Sequence, residues 1–124
     1  ADTIGCTVEV FQSNHEGTLI DAIQAAQAGY SGIVINPGAY AHYSYAIYDA
    51  LRAADVPAVE VHISDITARE PFRAVSVTAA ACVKTICGHG LAGYLEAMDY
   101  LMATASDRSD SAAPHAGCGG AACV

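Results

Sequence analysis

Gly32-Ile33-Val34-Ile35 is apolar at every position. A run so short and so uniform suits the middle of a parallel sheet, buried on both faces, better than a half-solvated antiparallel strand. Other segments share this character. Thr7 to Phe11 reads as a strand, Pro57 introduces another over Ala58 to His62, and Cys82 to Cys87 forms a further apolar stretch. Between them lie helical patterns. Leu19, Ile20, Ile23 and Ala26 recur at helical spacing up to a stop at Gly29. A helix is expected from about Ser44 to Ala53, and a last one from about Leu91 to Ala103, with Leu91, Leu95, Met98 and Leu101 on one stripe. This β-α-β-α alternation with short connections implies an α/β layered domain, a parallel sheet and right-handed crossovers.

In such sheets ligands bind beyond the carboxyl ends of the strands. Two loops fall there, Asn36–His42 and His62–Arg73. The strand before the second loop alternates Val59, Val61 and Ile63 with Glu60, His62 and Ser64, so a carboxylate, an imidazole and a hydroxyl share one side. Arg69 and Arg73 follow, and a guanidinium matches a planar carboxylate in shape and charge. The combination reads as a pocket for a small, oxygen-rich acid. By itself, His62 can equally be a core histidine satisfied by Glu60, Asn36 and His42 can be ordinary loop-capping groups, and Arg73 can be a solvated surface charge.

The 124 residues suit one small domain, and a hydrophobic content of 53% excludes disorder. Only 15% of residues are charged, which is low for a solitary soluble monomer and points to surface hidden in an oligomer. A net charge of −8 argues against nucleic acid or an anionic membrane, not against an anionic substrate drawn in by local arginines. No apolar run approaches the roughly 20 residues of a membrane span. Five cysteines without scaffold-like spacing suit free thiols in a reducing compartment, so the expected location is the cytoplasm.

Several blocks together carry a family resemblance: Gln12-Ser13-Asn14-His15-Glu16-Gly17, Asn36-Pro37-Gly38 with His42, Glu60-Val61-His62-Ile63-Ser64, Ala68-Arg69-Glu70 with Phe72-Arg73, and Gly93-Tyr94. In order and near-spacing they resemble type II 3-dehydroquinate dehydratase, from about Cys6 to Leu101. The resemblance implies a flavodoxin-like three-layer fold with a parallel β-sheet, assembled as a dodecamer of trimers. It implies a hydro-lyase of shikimate or quinate metabolism that removes water from 3-dehydroquinate by anti elimination through an enolate, with no metal, cofactor or Schiff-base lysine. Lys84 is the single lysine and lies away from the matched blocks.

The same resemblance implies roles. His62 is the proton donor to the departing hydroxyl, with Glu60 orienting it. Asn36 and His42 hydrogen-bond the substrate's hydroxyls and carboxylate, Gly38 lets the backbone approach, and Ile63, Ser64 and Arg73 bind the carboxylate end. Asp49 reaches a neighbouring subunit's site. Arg69 and Glu70 support the loop or an interface. The general base of the family is a tyrosine on a mobile lid, activated by an arginine, in an N-terminal region that precedes Ala1. The family's first strand lies there too, centrally, between the strands matching Thr7–Phe11 and Gly32–Ile35. On this reading residues 1–104 form an N-terminally truncated dehydroquinase-like domain of impaired activity. The alternative is a non-catalytic oligomeric protein that binds quinate-like acids.

From Ala105 the chain turns to small polar residues and glycines, so residues 105–124 are expected to form a flexible C-terminal tail. His115, Cys118 and Cys123 lie in it at a spacing that matches no standard zinc pattern, so no metal site is assigned.

Overall fold

A computed structural model of the chain describes residues 7–109 and 120–123. Five strands, β1 (Thr7–Val10), β2 (Gly32–Ile35), β3 (Ala58–His62), β4 (Lys84–Cys87) and β5 (Gly120–Cys123), form one sheet in the order β1-β5-β2-β3-β4. Every pairing is parallel. Three helices accompany it: α1 (Glu16–Ala25), α2 (Tyr45–Ala53) and α3 (Ala92–Ser109).

The alternation of side chains along a strand divides the core in two. Ile33 and Ile35 of β2, with Ala58 of β3, pack against Leu19 and Ile23 of α1 and Ile47 and Leu51 of α2. Val34, Val59, Val61 and Ile86 pack on the opposite face against Ala97, Met98 and Leu101 of α3. The layers are therefore helices, sheet, helix, as expected from the sequence. β2 and β3 are buried at every residue; β2 is accordingly apolar throughout, whereas β3 carries Glu60 and His62 inside the fold.

Local signals set the boundaries. Ser44 caps α2: its hydroxyl accepts the Ile47 N–H at 3.1 Å and donates to Glu16 of α1, tying the two helices together. Gly93 lets α3 lie close to the sheet, because a Cβ there would come within 3.1 Å of Val61 Cγ1.

Two expectations differ from what is observed. The last helix does not end at Ala103 but runs to Ser109, and Gly120–Cys123 is a strand; the tail expected over residues 105–124 thus contains the end of α3 and all of β5. β5 pairs with β1 through Thr7–Val10 and with β2 through Gly32–Val34. It holds the central position where the resemblance left a strand missing, so β1 and β2 both have backbone partners there. The fourth strand also begins later than Cys82, at Lys84, after a 3-10 turn over Thr78–Ala81. His115 and Cys118 lie outside the described residues. No helix among those described is long and apolar enough to cross a membrane, and no group of three His, Cys, Asp or Glu side chains there could hold a metal ion.

Candidate active site

β3 delivers two of the site's titratable groups. Glu60 and His62 are two residues apart and therefore point to the same side, and both are buried, at 0% and 5% exposure. A buried carboxylate needs partners, and Glu60 has several. Its Oε1 lies 3.3 Å from His62 Nε2. It also accepts from Ser76 Oγ, 2.9 and 3.0 Å from its two oxygens, and from Thr78 Oγ1 at 2.6 Å. His62 Nε2 is at ion-pair distance from Glu60 but makes no hydrogen bond among the described residues.

The loop after β2 brings the second imidazole. Pro37 leads a 3-10 turn over Gly38–His42, entered through Gly38 at φ +59°, a conformation that costs a glycine little. The turn sets the half-buried His42 ring nearly parallel to His62, at 16° and 6.4 Å between centroids, with Phe72 edge-on at 6.0 Å. His42 Nδ1 lies 2.7 Å from the Val75 carbonyl, which can only accept. Nδ1 therefore carries the proton, and a neutral His42 offers Nε2 as an acceptor. Asn36 is fixed from both ends of its amide. Its Nδ2 donates to Tyr94 Oη at 2.8 Å, and its Oδ1 accepts the Gly38 N–H at 3.1 Å.

The loop after β3 is organised by carboxylates. Asp65 accepts from the Thr67 hydroxyl at 2.6 Å and its N–H at 3.0 Å, and these bonds, the hydroxyl's first, hold its carboxyl below the usual range. Glu70 is likewise lowered, chiefly by a backbone N–H and then by the Arg73 guanidinium. Arg73, 23% exposed, is thereby held over the Phe72 ring, 5.0 Å from its centre. Glu70 is thus tied to Arg73 within the loop. Ile63 and Ser64 are exposed just beyond β3, and the Ile63 carbonyl accepts the Gly90 N–H at 3.0 Å.

A cavity of about 880 Å³ opens beside Asn36 and Gly38, past the ends of β1 and β2, with Phe11, Asn14, Tyr40 and Tyr94 in its walls. His42 and His62 do not line it; Asn36 and Gly38 link it to the histidine pair. Asp49 stands apart, exposed on α2. The structure therefore brings together Asn36, Gly38, His42, Glu60 and His62, and places Arg73 near them through Phe72. Sequence reasoning did not find Ser76 and Thr78, because two small hydroxyls in a loop carry no spacing signal. The bond of Tyr94 to Asn36 likewise has no sequence signal, since the two are 58 residues apart.

The family model for class II dehydroquinase matches residues 1–102. Over 102 residues the chain is 54% identical to a 3-dehydroquinate dehydratase of Bacillus cereus, covering 82% of this chain and 70% of that protein. The corresponding protein of Clostridium acetobutylicum is 59% identical over 92 residues, 74% of this chain and 64% of its own length. Among solved structures, a type II dehydroquinase from Butyrivibrio crossotus superposes with a TM-score of 0.75 at 55% identity, covering 76% of this chain and 66% of that one. Another from Propionibacterium acnes gives 0.78 at 43% identity, with coverages of 82% and 75%. The chain therefore spans about two thirds to three quarters of the length of these relatives, and it belongs to the class II dehydroquinase family.

Proposed function

We propose that this site serves the dehydration of 3-dehydroquinate to 3-dehydroshikimate, with His62 giving a proton to the departing hydroxyl. The observation that carries this reading is the buried Glu60–His62 pair stacked against His42 at the carboxyl end of β3. An acid must be protonated near neutral pH and must give up its proton at one place, and an imidazole beside a carboxylate meets both needs. Asn36 and His42 present an amide and an acceptor nitrogen to ring hydroxyls. Ser64, the backbone at Ile63, and Arg73 take the substrate carboxylate, and Gly38 leaves room for close approach.

The proton beside the ketone needs a base, and this reading assigns none of the described side chains to that step. Turnover by these 124 residues alone is accordingly expected to be slow. Assembly is part of the proposal. Val10 and Leu91 are 75% and 73% exposed, apolar surface of the kind that subunit contacts cover, and Asp49 would serve a neighbouring subunit's site.

The test is the rise of enone absorbance when the purified chain meets 3-dehydroquinate, set beside thermal melts with and without quinate. Turnover abolished by His62→Gln supports the dehydratase. A melt raised by quinate without turnover in the parent favours the binding-protein alternative. Neither response overturns both.

A further inference from the structure

Glu60 is wholly buried, and more donors reach it than the histidine it is credited with orienting. Three groups converge on Oε1: Thr78 Oγ1 at 2.6 Å, Ser76 Oγ at 2.9 Å and His62 Nε2 at 3.3 Å. The Thr78 contact has the length of a charge-assisted O–H···O⁻ bond, and Thr78 is itself fully buried. Each hydroxyl owns one proton. Ser76 accepts the Ala79 N–H at 3.2 Å and lies 3.2 Å from Thr78 Oγ1. Its 2.9 Å approach to Glu60 Oε1 is shorter than its 3.5 Å approach to the Ala41 carbonyl, so Glu60 is the better-placed acceptor for its proton. Thr78 thus holds Oε1 and Ser76 spans both carboxylate oxygens, fixing the group that His62 Nε2 faces at 3.3 Å. The same segment fixes the neighbouring ring, since the Val75 carbonyl holds His42 Nδ1 and the Val77 N–H bonds the Ala41 carbonyl at 2.7 Å.

We propose that Ser76 and Thr78 are positioning residues for the dehydration: by pinning the Glu60 carboxylate they set where His62 Nε2 sits, and segment 75–78 thereby fixes both imidazoles from one side. This rests on the role proposed for His62. Satisfying a buried carboxylate would by itself account for the hydroxyls' cost to stability, but not for a change in the ring of His62.

The experiment is to record the ring ¹⁵N resonances of His62 by NMR in the parent, Thr78→Val, Thr78→Ser and Ser76→Ala, and to measure turnover alongside. Thr78→Val keeps the shape and deletes the hydroxyl. The His62 resonances are expected to move in Thr78→Val and Ser76→Ala and to return to parental positions in Thr78→Ser. kcat is expected to fall by about 10- to 100-fold in the first two with KM changed less than about twofold, the scale of a misplaced catalytic group. Resonances unmoved in a folded Thr78→Val or Ser76→Ala would overturn the proposal, whatever the melting temperatures do. The ring spectrum is read in the free protein, so it decides the matter even if no dehydratase activity is found, a result that would count against the proposed function alone.

Discussion

His42, in the turn after β2, and His62, at the end of β3, are twenty residues apart, yet their rings lie within 16° of parallel, 6.4 Å between centroids. Their partners divide the work. His42 gives its Nδ1 proton to a backbone carbonyl, whereas His62 turns Nε2 towards a buried carboxylate. Two similar rings thereby sit in different environments, one bonded through Nδ1 to the backbone, the other facing a buried carboxylate.

Exchanging each histidine separates the roles of the two rings. His62→Gln is expected to lower kcat by about 10²- to 10⁴-fold, the usual contribution of a positioned acid, with a smaller effect on KM. His42→Ala is expected to act mainly through KM. Steady-state kinetics on both variants decide it, and equal losses of kcat would remove the distinction drawn between the two rings.

Tyr94→Phe removes the oxygen that accepts the Asn36 amide at 2.8 Å and changes little else in shape. Loss of one hydrogen bond is expected to cost about 1 kcal/mol in stability. Freed from Tyr94, the Asn36 side chain can rotate away from the cavity, so binding of quinate is expected to weaken as well. Urea unfolding and a ligand titration report the two effects separately; a variant with parental affinity would show that Asn36 needs no support.

Much of this arrangement is legible in the sequence, for a physical reason. β2 and β3 are buried on both faces, so the uniform apolar run of the first and the Pro57-led alternation of the second identify them, and the loops that follow them open at the sheet's carboxyl edge. β5 was not legible. Gly120-Ala121-Ala122-Cys123 has no β-branched or aromatic residue, and its pairing is decided by the open position between β1 and β2 rather than by its own preference. The end of α3 was missed because the change to small polar residues after Ala103 resembles a boundary, although Ala, Ser, Asp and Arg all permit a helix to continue. Ser76 and Thr78 escaped because their meaning lies in Glu60, sixteen and eighteen residues away.

Two glycines near helix starts should respond with opposite signs. At Gly93 a methyl group would meet Val61 Cγ1 at 3.1 Å and Ile86 Cγ2 at 3.4 Å, both core atoms. Overpacking of this kind costs about 1–3 kcal/mol, more than alanine's better helix propensity returns, so the melting temperature of Gly93→Ala is expected to fall by several degrees. Nothing lies within 4 Å of the same position at Gly17, in the first turn of α1. Gly17→Ala is therefore expected to stabilise by about 0.5 kcal/mol. Melts of the two variants that shift in the same direction would contradict the close approach of α3 to the sheet.

Cys82 gives the fold an alkaline limit. Burial, and then the negative charge of Glu60, push its thiol up from an ordinary value of 9.0 to about 12, and its Sγ–H donates to the Thr78 carbonyl at 3.5 Å. In the unfolded chain the thiol ionises near pH 9; in the folded chain it stays protonated well beyond that. The folded pKa is the higher one, so this contribution to stability is fully present below about pH 9 and is lost as pH rises from 9 towards 12. A single thiol can produce a slope of at most about 1.4 kcal/mol per pH unit. Urea midpoints of the parent and Cys82→Ala, measured from pH 8 to 10.5, should therefore diverge, the parent falling more steeply, and the difference cancels whatever the other cysteines contribute. Native Cys82 should also react slowly with iodoacetamide at pH 8.5. Parallel midpoints and rapid labelling would mean that the thiol is neither buried against Glu60 nor kept protonated by it.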